Sequence, residues 1–195
     1  MLRRLDIWAA RQRSPTIVRC LLLQFMAMNE SIDQLCPNCG LCCDSTLFAD
    51  VELRAGDDAK RLKKIGLTLG KKGQGKLAFA QPCACFDGKL CQIYGDRPKR
   101  CRAFECGLLK RVEAGELTAN VALKKISEAK TRAEQVRELL RSLGQRDEQM
   151  ALTHRYAGAM SAPVDLADEM NAKRHGEFML AVNDLMSVLQ QDFLK

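Results

Sequence analysis

Apolar residues in the last third of the chain recur with the period of a helix. Ala122, Ile126, Ala129, Ala133, Val136, Leu140 and Leu143 are spaced by alternating fours and threes, which places them on one helical face. Gly144 follows as a C-terminal stop. A second helix is predicted around 163–173, with Ser161 or Pro163 near its start. A third is predicted from Glu177 to Phe193, with Phe178, Ala181, Leu185, Val188 and Leu189 turned inward. That pattern lasts only about three heptads, so a helix packed on its own domain is favoured over a coiled-coil seam.

Upstream the pattern is shorter and broken by glycine. Asp50–Leu53 reads as a brief extended segment or turn. Asp57 and Asp58 open a predicted helix that runs to Ile65, because Asp favours the first helical turn. Gly66, Gly70, Gly73 and Gly75 then interrupt the chain. Lys71-Lys72-Gly73-Gln74-Gly75 reads as an exposed loop, since it lacks the Gly-Lys-Ser/Thr ending of a phosphate loop. Lys76–Ala80 reads as a strand leading into Pro82-Cys83.

The expected fold class is mainly α, with a small, loop-rich, metal-stapled cysteine region and a helical C-terminal tail. Three regions are expected: a leader at 1–30, a cysteine-cluster metal-binding domain at 31–110, and a helical region at 111–195 packed on it. The leader carries no motif, and Met26 and Met28 are alternative starts; a short amphipathic helix at Ile17–Met28 is the competing reading.

Charge sharpens the division. Residues 1–111 carry 20 Lys/Arg against 11 Asp/Glu, whereas residues 112–195 carry 11 against 13. Cations near cysteines favour the thiolate form. The segment 54–76, with 8 Lys/Arg against 2 Asp/Glu, is the candidate contact surface for a protein partner or nucleic acid. It has no interleaved aromatics for base stacking, and a solvated face is the plainer reading. Aromatics are 5% of the chain, so the core must rest on aliphatic residues.

Ten cysteines is a high count for 195 residues. The apolar stretch at 20–28 is short, holds Gln24 and has no small-residue cleavage site after it, which argues against export. No run reaches the ~18 apolar residues needed to span a bilayer. A cytoplasmic chain with clustered cysteines points to metal or redox chemistry.

Nine of the ten lie within residues 31–110. Cys36-Pro-Asn-Cys39-Gly-Leu-Cys42-Cys43 offers three sulfurs at Cys-x-x-Cys spacing from one loop, with Gly40 relieving the backbone. Cys43 follows Cys42 directly, and adjacent side chains usually point apart, so one of the two serves a second metal, a surrounding shell or no metal. A second set comprises Cys83, Cys85, Cys91, Cys101 and Cys106, with Gly95-Asp96-Arg97-Pro98 as a turn inside it. Arg97 is expected to bond sulfur or backbone carbonyls, and Tyr94 to be a packed aromatic. His154 and His175 lie far down the chain, so the site is nearly all sulfur, and thiolates select zinc or iron–sulfur over magnesium or calcium. Cys20, alone in a leucine-rich stretch, reads as structural.

These residues resemble the YkgJ-type cysteine-cluster family over roughly residues 33–110. The resemblance rests on Cys36-x-x-Cys39-x-x-Cys42-Cys43, then Cys83, then Cys91-x-Ile-Tyr-x-x-Arg-Pro-x-x-Cys101-Arg. It implies zinc or iron chelation by Cys36, Cys39, Cys42, Cys43, Cys83, Cys91 and Cys101. Cys106 matches a final cysteine present in part of the family, and Cys85 departs from the pattern. Flagellin lysine N-methylases share a similar cysteine pattern, associated there with an iron–sulfur cluster. Three functions follow as expectations: an iron–sulfur or iron protein, a structural zinc module for protein or nucleic-acid interaction, and a component of a methylase-like modifying system. The last is weakest, because no Gly-rich strand-to-helix turn for a methyl donor is present in the sequence.

Overall fold

The computed structural model describes residues 35–165 and 167–195. The leader at 1–30 lies outside the described residues, and with it Cys20, the alternative starts Met26 and Met28, and the candidate helix at Ile17–Met28.

The glycine-broken region forms a small antiparallel sheet. Its strands are β1 (Asp50–Glu52), β2 (Gly70–Lys71) and β3 (Leu77–Ala80), in the order β1-β3-β2. Register pairs Val51 with Phe79, and both are buried. Between β1 and β2 lies α1 (Ala59–Lys64), whose N-terminus is capped by the Asp58 carboxylate, accepting from the Arg61 amide at 3.0 Å. Leu62 and Leu67 pack with Val51 and Phe79 into a small core that also takes in Cys83 and Cys85. The expected exposed loop at 71–75 is exposed, although Lys71 still pairs with Leu77 in the sheet. The cations of segment 54–76 point to solvent, and Lys72 bridges to Asp50 and Glu52.

The chain then turns helical through α2 (Lys99–Ala103), α3 (Gly107–Glu113), α4 (Ala119–Ser142), α5 (Leu152–Ser161) and α6 (Glu169–Asp192). In α4 the face predicted from periodicity is the buried one: Ala122, Ile126, Ala129, Ala133, Val136 and Leu140 are all buried, and Leu143 caps the end half-buried. Gly144, at φ +84°, takes the left-handed position after the cap. Its amide donates to Arg141 O at 3.1 Å and that of Gln145 to Leu140 O at 2.9 Å, the paired bonds of a Schellman stop. Alanines on α4 let α6 approach closely, and α6 supplies the bulk: Phe178 and Leu185 are fully buried, each contributing about 1.5–3 kcal/mol.

One expected helix is corrected, and another starts earlier than expected. No helix spans 163–173: residues 162–165 are extended or irregular, and the helix begins at Glu169, capped by Asp168, whose carboxylate accepts from the Asn171 amide at 3.1 Å. The expected third helix is present as the rest of α6, with Phe178, Ala181, Leu185 and Leu189 buried as expected, and α5 is an additional helix that the periodicity does not mark. Asp192 at the end of α6 is buried with Arg111 at 3.1 Å and Lys125 at 2.9 Å, which ties α3 and α4 to α6.

The larger core contains Leu35, Leu41 and Leu47 together with residues of α3 to α6. The cysteine loop is therefore pinned to the helices by its own leucines. Among the described residues no helix is long and apolar enough to cross a membrane.

Candidate metal centre

Cys36, Cys39, Cys42, Cys43, Cys83, Cys91, Cys101 and Cys106 line one cavity of about 320 Å³ between the sheet and the helices. Residues 35–39 are helical and carry the first two thiols. Gly40, at φ +76°, reverses the chain, and its carbonyl accepts from the amides of Cys43 at 2.8 Å and Asp44 at 2.9 Å. A Cβ at this position would lie 2.5 Å from Phe86 Cζ, so both the backbone angle and the close ring demand glycine.

The end of this loop is held from the helices. Arg137 Nη2 on α4 donates to Asp44 O at 3.2 Å, Asp44 Oδ2 at 3.1 Å and Thr46 Oγ1 at 3.0 Å. Ser45, buried at φ +74°, accepts through Oγ from the Leu152 amide at 3.1 Å. Lys130 Nζ donates to Asn38 O at 3.0 Å.

The second set reaches the cavity from several turns. The Cys83 amide donates to Cys43 O at 2.8 Å, which docks the two cysteine segments on each other. Cys91 follows a small loop closed by a bridge between Phe86 and Cys91. Cys101 sits on α2, and Cys106 caps α3, its Sγ accepting from the Leu109 amide at 3.4 Å. Cys85 alone of the nine is turned away: it does not line the cavity, and its thiol donates to Ile65 O at 3.4 Å.

Burial sets the protonation of most of these thiols. It pushes Cys39 up to about 12 and Cys83 and Cys101 up to about 11, and it raises Cys36, Cys42 and Cys106 as well. Cys91 goes the other way. The Cys43 thiol donates to it, and the Ile93 amide and the Arg97 charge add to the lowering, so the pair holds the Cys43 proton firmly and leaves Cys91 as its thiolate member. Arg97 also hydrogen-bonds Cys36 and donates through Nε to Tyr94 O at 2.8 Å, as its place in the turn led us to expect. Tyr94 differs from expectation: it is 36% exposed, and Arg97 stacks 3.5 Å from its ring centroid.

The donor chemistry is that of sulfur. Neither His154 nor His175 lines the cavity. Asp50 is the one carboxylate in the lining among the described residues, and Lys72 Nζ takes both its oxygens, at 2.8 and 2.7 Å. The walls are apolar: Phe48, Phe79, Phe86, Ile93 and Phe104. Gln81, 2% exposed and also in the lining, has an Oε1 with no hydrogen-bond partner among the described residues. The thiols surround a space instead of a point: among the described residues, no three or more His, Cys, Asp or Glu side chains have the arrangement that would hold a metal ion. By donor type, eight soft sulfurs around an apolar space fit a thiolate-bound metal, on which the thiols would have to close.

Gln81, Phe86, Lys130 and Arg137 were not singled out from the sequence. Nothing in local pattern marks them; each matters through a contact distant in the chain.

The model of the CxxCxxCC family, described as a putative zinc- or iron-chelating domain, matches residues 35–139. The chain belongs to this family. The matched span includes all eight cavity cysteines and runs through most of α4, beyond the residues whose motifs suggested the resemblance. Lys130 and Arg137, which hold the cysteine loop, therefore lie inside it. No curated protein and no solved structure matches the chain.

Proposed function

We propose that this CxxCxxCC protein holds iron as an iron–sulfur centre in the cysteine-lined cavity. The observation that carries the reading is the meeting of eight thiols, from segments up to 70 residues apart, around one apolar-walled space. Cys36, Cys39 and Cys42 come from a single turn at the spacing that iron–sulfur ligation uses, with a further ligand supplied from a remote position. Phe48, Phe86 and Phe104 would keep water from the sulfurs, and Arg97 would offset the negative charge of bound thiolates. Such a centre, when bound, supplies one-electron transfer or a Lewis-acidic iron.

A structural zinc module is the second reading. It is favoured by how little regular structure surrounds the thiols: β1 has 3 residues, β2 has 2 and α2 has 5. Closed four-thiolate zinc sites would contribute folding energy to such loops. Anaerobic purification from native expression, followed by a visible spectrum with iron, sulfide and zinc analysis, separates the two. Broad sulfur-to-iron absorption with matching iron and sulfide is expected. A colourless protein with stoichiometric zinc and no iron, unchanged when iron is supplied during expression, would overturn the iron reading.

A further inference from the structure

We propose that the eight cavity cysteines form two separate four-thiol centres, one of Cys36, Cys39, Cys42 and Cys106 and the other of Cys43, Cys83, Cys91 and Cys101. The inference rests on the reading of the cavity as a thiolate metal site and divides it.

Packing makes the division first. Cys39, Cys42 and Cys106 lie against the helical core, which holds Leu35, Leu41, Leu108 and Val112. Cys43, Cys83 and Cys101 lie against the sheet core, which holds Val51, Leu62 and Phe79. No cysteine belongs to both. Cys42 and Cys43 are adjacent in sequence, yet their side chains pack on opposite cores. A chain that passes between two cores must send neighbouring side chains opposite ways, and this is where the loop does so.

The nearest neighbours among the thiols follow the same division and place the remaining two. Cys106 acts on Cys36, Cys39 and Cys42, and Cys36 acts on Cys39 and Cys42. In the other group Cys43 bonds Cys91, Cys83 feels Cys91 and Cys101, and Cys101 feels Cys91. The one reach across beyond the sequence neighbours Cys42 and Cys43 is between Cys42 and Cys101, and it is the weakest of the cysteine influences on Cys42. The centres therefore sit side by side.

Four thiolates are the full complement of a tetrahedral zinc site or of one iron–sulfur cluster, so each group carries the donors for one centre; among the described residues the thiols do not yet converge on a point, and binding would have to draw each four together. Two loaded centres would bring several negative charges together. Arg97 stands between them, acting on Cys36 in the first group and on Cys91 and Cys101 in the second. Cys85 also packs in the sheet core and neighbours Cys83 and Cys91, but its thiol is bonded to Ile65 O and lies outside the cavity lining, so it is left out of the second group.

The test uses the full chain, stripped of metal without oxygen and titrated with cobalt(II), whose tetrahedral thiolate complexes absorb in the visible and near-ultraviolet. Absorption from sulfur-to-cobalt charge transfer should rise linearly to two equivalents per chain. The double variants Cys39→Ser/Cys106→Ser and Cys83→Ser/Cys101→Ser should each saturate at one equivalent with four-thiolate ligand-field bands, and Cys85→Ser should keep two. Saturation of the unaltered chain at one equivalent would overturn the two-centre proposal while leaving thiolate metal binding intact. So would loss of all binding in both double variants when circular dichroism shows them folded. Absence of charge-transfer absorption at any cobalt ratio would overturn metal binding itself. If a double variant fails to fold, the stoichiometry of the unaltered chain still decides.

Discussion

Arg97 lies flat on Tyr94, its guanidinium carbon 3.5 Å from the ring centroid, while its Nε is bonded to the Tyr94 carbonyl at 2.8 Å. The stack and the bond fix a flexible side chain so that its charge faces sulfur: it hydrogen-bonds Cys36 and helps lower Cys91. In metal-free protein at neutral pH, Cys91 should react with iodoacetamide faster than the other cavity cysteines, because it is the thiolate member of its pair. Arg97→Gln should slow that reaction by about threefold, and Arg97→Lys, which keeps the charge but not the planar stack, should fall between. Site-resolved mass spectrometry after brief alkylation reads both. Equal labelling of all eight cavity cysteines would refute the assignment.

Gly40 combines a left-handed backbone with a ring in contact. Gly40→Ala should cost about 1–3 kcal/mol from backbone strain alone. It also drives Phe86 aside, because the new methyl would start 2.5 Å from Phe86 Cζ. At this chain length a loss of about 2–3 kcal/mol lowers Tm by roughly 4–12 °C. Adding Phe86→Leu should recover part of that loss and not all of it, since it removes the clash and leaves the φ of +76° unrelieved. Full recovery in the double variant would show that the backbone angle carries no cost here.

What the sequence disclosed and what it hid have different physical origins. The face of α4 was legible because one repeating requirement, burial every third or fourth residue, writes itself along the chain. The cysteine segments were legible because thiols are rare and their spacing is chemical. The start of α6 carried its signal too, in Asp168 followed by Glu169, a capping residue and an acid in the first turn. Pro163, a residue suited to a first helical turn, gives a competing start signal upstream of it. Helix α5 was hidden for a different reason. Ala151 at its start makes no side-chain cap, and Ser45, 107 residues earlier, accepts from the Leu152 amide. The pairing of Cys106 with the first cysteine loop was equally invisible, because it depends on how α3 docks, and that is set by Gly107. The Gly107 amide donates to Phe193 O at 3.0 Å, and a Cβ there would lie 2.7 Å from Lys195 O.

The brace from α4 to the cysteine loop should matter more than other arginines of the same helix. Arg137 is 18% exposed and meets Asp44 twice and Thr46 once, whereas Arg132, 33% exposed, pairs with Glu128 at 2.8 Å on the same helix and, at 3.6 Å, with the well-exposed Asp184 on α6. Arg137→Ala should cost about 1–3 kcal/mol and leave the Asp44 carboxylate without its cation. Arg132→Ala should cost no more than about 0.5 kcal/mol. Chemical denaturation compares stability, and the rate of metal loss to a chelator compares the site. Arg137→Ala should release metal faster and Arg132→Ala at the rate of the unaltered protein. Equal rates in all three would show that the brace serves folding alone.

The direction of pH dependence should reverse between the metal-free and the loaded protein. Burial raises Cys39 to about 12 and Cys83 and Cys101 to about 11 from an ordinary value of 9.0, so folding favours the neutral thiols. Below pH 9 folded and unfolded chains both hold these protons, and that stabilisation is fully present. Between pH 9 and about 11 to 12 the unfolded chain gives them up while the folded chain keeps them, so metal-free stability should fall as pH rises through that window. Metal uptake has the opposite sign. A thiol that becomes a ligand must lose its proton, and near neutrality the raised thiols still carry theirs. Apparent affinity should therefore climb between pH 6 and 8, about tenfold per unit for each proton released. Calorimetric titration with zinc or cobalt(II), in buffers of different ionisation enthalpy, counts those protons directly. Several per metal are expected. A count of zero would mean that the sulfurs are already ionised before metal arrives, contrary to their burial.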